Sequence, residues 1–311
     1  MSELCTVGAQ IPGLGTVQRI KPLFGFWDKV RGKYHKDTSA FVATLSGDRK
    51  VKIVVRGTAD AATSRTRLAA DYLARFECAD CVPQTLYVDD THLVLDFVPG
   101  TALTSTGLNS DMAARLASFL SRNQPLFQEN ADPLAVLERY AQLLAQGRYL
   151  DHDSLTALLE PAGVQGQGAP KIVCFDDCAV KNFVVRPDGE LVYVDAFGIL
   201  PKFAGSSFVK QALRLPNSMR PLFMEHYLAA SPFADQIQSQ LVMHCRLHLL
   251  ERAAVRLRHV QPDSPVPSTR YRIRRNRRAL SQSLTRLNEC LNLPPDNAAH
   301  YQWILKQGAM L

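Results

Sequence analysis

The sequence predicts an α+β chain in two lobes, a small antiparallel-sheet N-lobe over residues 1–98 and a mostly helical C-lobe over 99–311. Three observations carry this reading. At 311 residues the chain exceeds the usual single core of about 100–200 residues. Runs of β-branched residues separated by turn chemistry gather before residue 98. Beyond it, apolar residues recur at helical spacing, interrupted by prolines and by one strand–turn–strand unit.

The elements follow in order. Residues 41–45 and Lys50–Arg56 form a hairpin about the turn Ser46-Gly47-Asp48-Arg49. Residues 59–76 form a helix with Leu68, Tyr72 and Leu73 on one side, and Val82-Pro83 breaks it. Strands over Gln84–Val88 and His92–Val98 are joined by Asp89-Asp90-Thr91, and Pro99-Gly100 ends the β-rich part. Asn109 to Asp111 caps a helix through Leu120, and a second helix runs from Pro133 to Gln146. Gly163–Pro170 is a loop. Strands Asn182–Val185 and Leu191–Asp195 flank the turn Pro187-Asp188-Gly189, and helices broken near Pro216, Pro232 and Pro262–Pro267 complete the chain.

A composition of 46% hydrophobic and 21% charged residues excludes wholesale disorder, and no apolar run approaches the ~20 residues of a membrane span. Met1–Val17 has no basic segment followed by an apolar one, so the expected location is cytoplasmic, with seven reduced cysteines. The net charge of +7 is concentrated: between Arg246 and Arg286 stand eleven arginines against Glu251 and Asp263. Such a block reads either as a surface for an anionic partner or as a solvated helical face. Arg270, Arg272, Arg274, Arg275, Arg277 and Arg278 crowd its centre.

The chemistry-bearing stretch is Cys174 to Leu200. Asp177 precedes Asn182 by five residues, and a hairpin then delivers Asp195. A hairpin of this length brings Asn182 and Asp195 together. An Asp, an Asn and a second Asp at a hairpin mouth suit Mg²⁺, which takes oxygen ligands and shares its shell with water and phosphate oxygens. Cys78-x-x-Cys81 and Cys174-x-x-x-Cys178 would make a zinc site only if the two pairs met, and packing explains the second pair. His244 and His248 stand four apart on a helix without a third ligand.

This stretch resembles the catalytic and metal loops of the protein-kinase-like phosphotransferases, H-R-D-x-x-x-x-N followed by D-F-G. The resemblance spans residues 41–200. It makes Asp177 the catalytic Asp, and Asn182 and Asp195 the metal ligands, with one extra residue in Asp195-Ala196-Phe197-Gly198. Val51-Lys52-Ile53-Val54 resembles the strand that presents the phosphate-binding lysine, with Arg56 on the same face as the alternative cation, and Asp71 would pair with Lys52. Val94 to Gly100 resembles the hinge that holds adenine, at Asp96, Phe97 and Val98. Phe175 replaces the loop His, and Ala179 stands where protein Ser/Thr kinases place a lysine, leaving Lys181 to approach the transferred phosphate. Gly32 is the only glycine between Gly25 and Gly47, so Asp37–Ala40 must supply the phosphate cover.

The resemblance implies a bilobal protein-kinase-like fold with ATP and Mg²⁺ as cofactors, and transfer of the γ-phosphate to a hydroxyl. The acceptor it implies is a small molecule or a lipopolysaccharide-core sugar, as in aminoglycoside, choline and lipopolysaccharide-core kinases. The arginines of Arg270–Arg278 would meet a glycolipid acceptor or an anionic membrane surface peripherally. Nucleic acid is not an expected partner. The alternatives are a pseudokinase and an atypical protein kinase acting through a protein partner.

Overall fold

The computed structural model describes residues 3–23, 38–56, 64–78, 80–127, 133–151, 153, 154, 156, 170–260 and 270–308. The chain divides into two compact units, Met1–Ser105 with Ala179–Leu200, and Thr106–Cys178 with Pro201–Leu311. The hairpin carrying Asn182 and Asp195 groups with the N-terminal sheet.

The first unit holds a six-stranded antiparallel sheet in the order β1-β2-β3-β4-β6-β5. Its strands are β1 (Gln10–Ile11), β2 (Gly15–Pro22), β3 (Thr38–Leu45), β4 (Lys50–Arg56), β5 (Thr85–Val88) and β6 (His92–Asp96). The predicted β3–β4 hairpin is present, with Thr44 opposite Lys50 and Thr38 opposite Arg56. Its turn places Gly47 and Asp48 at φ of 82° and 61°, a left-handed pair that Gly adopts freely and Asp tolerates. Alternation along β4 sends Val51 and Ile53 into a core with Cys5, Ile11, Val17, Ala43, Leu45 and Val94. Lys52, Val54 and Arg56 therefore share the opposite face.

The helix predicted over 59–76 is α1 (Arg65–Leu73), and residues 59–63 lie outside the described ones. Ser64 caps it, accepting from the Arg67 N–H, and Thr66, Ala69, Ala70 and Leu73 form its buried side. A second, three-stranded sheet has the order β10-β9-β7, from β7 (Thr101–Ala102), β9 (Phe183–Val185) and β10 (Leu191–Tyr193). Gly100, at φ 145°, lets β7 come close: a Cβ there would collide with the Val185 carbonyl. The Tyr193 N–H donates to the Cys81 carbonyl at 2.9 Å, tying the segment after α1 to the hairpin.

The second unit is helical around a two-stranded sheet of β8 (Lys171–Phe175) and β11 (Ile199–Phe203). Its helices are α2 (Ser110–Arg122), α3 (Pro133–Gln146), α4 (Ser206–Ala212), α5 (Arg220–Ala230), α6 (Ala234–Ser239), α7 (Leu241–Val260), α8 (Arg270–Leu291) and α9 (Asn297–Lys306). Asn109 caps α2 as predicted, accepting from the Met112 N–H at 2.8 Å. The central α7 is buried on nearly every side and packs against α3, α4, α8 and α9. Phe208, Phe223 and Tyr227 pack together between α4 and α5. Arg220 is fully buried and, among the described residues, donates to backbone carbonyls at helix ends: Ala212 at the end of α4 and Leu215 beyond it, Ile304 and Gln307 at the end of α9. No described helix is long and apolar enough to cross a membrane.

Strands β1, β2, β8 and β11 have no clear sequence signal. Only Val17 of β2 is buried, so the alternation is weak. β8 is a continuous apolar run, and β11 contains Pro201, which ordinarily argues against a strand. Phe24, Phe26, Trp27, Gly32 and Asp37 lie outside the described residues.

Candidate active site

In the first unit the site is built on β4 and on the β9–β10 hairpin. Hairpin pairing sets Tyr193 opposite Phe183, and the Val194 N–H continues the ladder to the Asn182 carbonyl at 2.9 Å. The next residue, Asp195, thereby stands beside Asn182: Asn182 Nδ2 lies 3.4 Å from Asp195 Oδ2. Asn182 is buried at the end of a 3-10 turn over Val180–Asn182.

Lys52 completes this group. Its Nζ donates to the Val194 carbonyl at 2.7 Å. Burial pulls its pKa below the ordinary lysine value, and the Asp195 carboxylate opposes that pull. Arg56, on the same face of β4, lies over the Phe197 ring at 4.9 Å. The two cations of β4 thus have different neighbours: Lys52 at Val194 and Asp195, Arg56 at Phe197.

The expected pairing of Lys52 with Asp71 is not formed. Asp71 lies on the exposed side of α1, opposite the buried Ala69, Ala70 and Leu73 stripe, which faces away from it. Asp96 ends β6, donates its N–H to the Gln84 carbonyl at 2.9 Å and pairs with Arg49 at 3.3 Å. Phe97 and Val98 follow, half-buried. Lys181 is exposed.

The donor set of Asn182 and Asp195 fits a hard divalent cation. One carboxylate and one amide oxygen supply part of an oxygen shell, as Mg²⁺ sites do when phosphates and water supply the rest. Among the described residues no group of three or more His, Cys, Asp or Glu is placed to hold a metal, so the four-cysteine zinc arrangement is not assembled. Cys174 and Cys178 are buried, and burial raises both thiols.

In the second unit, Asp177 follows β8 and is partly exposed. Arg214 Nη1 lies 3.5 Å from its Oδ1 and 3.8 Å from the Cys178 Sγ. Beside it, Asp176 accepts from Lys210 at 2.9 Å and lies 3.8 Å from Lys202, which also pairs with Glu251. Burial alone would raise the Asp176 carboxyl, but Lys210 and Lys202 outweigh it and hold it below the usual range. Burial would likewise lower Lys202, and Asp176 with Glu251 outweigh that and raise it. Phe175, in place of the loop His, is fully buried and packs on Phe119 at 5.2 Å. Sequence reasoning missed Asp176, Lys202, Lys210, Arg214 and Glu251. They come from four separate segments, and β11, which carries Lys202, was itself unpredicted.

The arginine block divides. Arg246 and Arg252 are buried within the second unit, while Arg274, Arg275, Arg277 and Arg278 are exposed around the start of α8. The whole block is therefore not one surface: α7 is the core helix of its unit and buries the arginines on its inner sides. The side chains of Arg270 and Arg272 lie outside the described ones.

No family model matches the chain, and no curated protein matches it by sequence. Solved structures do. An ethanolamine kinase of Plasmodium vivax superposes with a TM-score of 0.62 at 12% identity, covering 88% of this chain and 83% of that one. A choline/ethanolamine kinase family protein of Mesorhizobium loti gives 0.61 at 16% identity, covering 96% of each chain. An amicoumacin kinase in complex with AMP-PNP, Ca²⁺ and Ami gives 0.60 at 13% identity, covering 93% of this chain and 94% of that one. The chain has the fold of the protein-kinase-like phosphotransferases.

Proposed function

We propose that this protein is an ATP-dependent phosphotransferase that moves the γ-phosphate to a hydroxyl of a small-molecule acceptor. The observation that carries the reading is the grouping of Lys52, Asn182 and Asp195 about the Val194 carbonyl. A half-buried lysine beside an Asp–Asn oxygen pair suits triphosphate binding, and the presence of Asp177 together with Asn182 and Asp195 favours turnover over the binding-only alternative. The compared proteins are named for ethanolamine, choline or ethanolamine, and amicoumacin, which supports a small acceptor.

In this reading Lys52 neutralises the α- and β-phosphates, and the backbone of Asp96–Val98 holds adenine. Asn182 and Asp195 would hold a divalent cation such as Mg²⁺, which would supply charge neutralisation for the phosphates. Asp177 orients the acceptor hydroxyl and accepts its proton. The acceptor oxygen bonds to the γ-phosphorus as the bond from that phosphorus to the β-bridging oxygen breaks, and ADP leaves. Lys181, exposed next to Asn182, is a further cation for the transferring group. Catalysis is then positioning plus electrostatic stabilisation. A lipopolysaccharide-core glycolipid, met through the exposed Arg274–Arg278 surface at an anionic membrane, is the narrower form of the same reading.

The test is ADP formation from ATP and Mg²⁺ across a panel of hydroxylated compounds. Acceptor-stimulated ADP release that disappears in Asp177→Asn supports the reading. Equal release by parent and variant with every compound contradicts it.

A further inference from the structure

The first unit holds a pair of cysteines, Cys78 and Cys81, that the proposed chemistry does not use. Cys78 is exposed, whereas Cys81 and the five other cysteines are buried. The Cys81 N–H donates to the Cys78 carbonyl at 3.2 Å, which closes a turn over the pair. The Cys81 thiol donates to that same carbonyl at 3.0 Å, so its sulfur already points back at Cys78. A turn closed in this way keeps its first and last Cα atoms within about 7 Å, and a disulfide joins Cα atoms about 4.4–6.8 Å apart. The pair therefore lies within reach of an S–S bond after local adjustment alone.

The turn is fastened to the hairpin that carries Asn182 and Asp195. The Cys81 carbonyl accepts from the Tyr193 N–H at 2.9 Å. Asp80, inside the turn, pairs with Arg186 of the same hairpin at 3.0 Å. Tyr193 packs edge-on against Phe183, with ring centroids 5.2 Å apart. Val194 follows it, with its N–H on the Asn182 carbonyl at 2.9 Å and its own carbonyl accepting from Lys52 at 2.7 Å. A change at Cys81 is thus one hydrogen bond away from the strand end that positions Asn182, Asp195 and Lys52.

We infer that Cys78 and Cys81 form a reversible thiol-oxidation site whose closure loosens the hairpin end carrying Asn182 and Asp195. Exposure makes Cys78 the attacking thiol, while burial pushes the Cys81 thiol up, the nearby Cys78 adding to the shift. With glutathione disulfide as oxidant, the Cys78 thiolate attacks one of its sulfurs, that S–S bond breaks, and one glutathione thiolate leaves and takes up a proton. Cys81 then gives up its proton, its sulfur attacks the Cys78 sulfur, and the second glutathione leaves with that proton. Two electrons pass from the cysteine pair to the glutathione disulfide, giving one protein disulfide and two reduced glutathione molecules. The Cys81 sulfur leaves the Cys78 carbonyl, and the Cys81 backbone turns with it, which weakens the bond to Tyr193. Exposed disulfides are the readily reduced ones, which suits a switch rather than a staple. The consequence for ATP rests on the reading of Lys52, Asn182 and Asp195 as the nucleotide and metal site.

The first arm of the test reads the site without ATP. The full chain is held in glutathione buffers from fully reduced to mostly oxidised, alkylated, and mapped by mass spectrometry. A Cys78–Cys81 disulfide is expected, absent in Cys78→Ser and reversed by dithiothreitol. Hydrogen exchange at the Tyr193 amide should be about fivefold or more faster in the oxidised protein than in the reduced one. In Cys78→Ser the same buffers should leave that exchange unchanged. A glutathione adduct without the bridge, a bridge between other cysteines alone, or a bridge with Tyr193 exchange unchanged overturns the inference.

The second arm titrates ATP with Mg²⁺ by calorimetry into the reduced and the oxidised protein. Oxidation should weaken binding about fivefold, and dithiothreitol should restore it. Cys78→Ser should bind alike in both buffers. Equal affinity of the reduced and oxidised parent overturns the link to the metal site. If the parent binds no ATP in either state, the phosphotransferase reading fails instead, and exchange at the Tyr193 amide still reports whether oxidation loosens the hairpin.

Discussion

Lys52 on β4 donates to the carbonyl of Val194 at 2.7 Å, although the two residues stand 142 positions apart in the chain. That one bond joins the N-terminal sheet to the hairpin carrying Asn182 and Asp195, and it sets the lysine beside the carboxylate that opposes its desolvation. Arg56, four residues along the same strand face, instead covers Phe197.

It follows that Lys52→Ala should damage ATP turnover far more than Arg56→Ala. Loss of a cation from a desolvated phosphate site costs about a hundredfold in rate. Arg56→Ala should cost about threefold or less, because it removes a ring contact. Steady-state kinetics with varied ATP separates the two. Greater damage from Arg56→Ala would make Arg56 the phosphate ligand.

Lys52 also gives the stability a pH dependence. Below its lowered folded pKa the lysine is charged in the folded and the unfolded chain, and folding carries the full cost of burying that charge. As pH rises from that value towards the ordinary 10.5, the folded protein has released the proton while the unfolded chain still binds it, so this contribution to stability rises with pH. Lys52→Met removes the buried charge. Its Tm relative to the parent should be highest below the lowered folded value and should decline as pH rises from there towards 10.5. Thermal melts at a series of pH values read this directly, and a relative Tm that climbs with pH would refute the burial of a strained cation.

Asp177→Asn should reduce acceptor phosphorylation by about 10²–10⁴-fold while leaving ATP affinity unchanged, because the proton receiver is lost. Asp177 is half-exposed, so the fold should survive: its side chain retains 44% of its accessible surface. Single-turnover kinetics with calorimetric ATP binding checks both halves of this expectation.

Arg220 joins the end of α4, just beyond Lys210 and next to Arg214, to the end of α9 through carbonyls of Ala212, Leu215, Ile304 and Gln307. Helix-end carbonyls buried without donors are costly. Arg220→Met should destabilise the protein by about 3 kcal/mol or more, measured as a lowered denaturation midpoint at constant slope. A change below about 1 kcal/mol would show that water or other donors replace the guanidinium.

Much of this was legible in the sequence. The hairpin length alone set Asn182 beside Asp195, since a two-residue period and a tight turn leave no other register. The β3–β4 hairpin, the Asn109 cap and the Pro133–Gln146 helix carried strong local signals, because each depends on residues adjacent in the chain. Asp71 illustrates where local signals stop. Nineteen residues separate it from Lys52, as the resemblance asks, but the buried Ala69, Ala70 and Leu73 stripe turns it outwards. The arginine block shows the same limit: sequence charge could not tell Arg246 and Arg252, folded inward on α7, from Arg274 to Arg278 on the surface. The ion pairs of Asp176 and Asp177 depend on Lys202, Lys210, Arg214 and Glu251, whose convergence is purely tertiary.

The central claim is that Lys52, Asn182 and Asp195 form the triphosphate and metal site. The most direct measurement is calorimetric titration of ATP into the parent and into Asp195→Ala, each with and without Mg²⁺. The account expects Mg²⁺ to tighten ATP binding about tenfold or more in the parent and to have no effect in Asp195→Ala. An undiminished Mg²⁺ effect in Asp195→Ala, or no ATP binding by the parent under either condition, would contradict it.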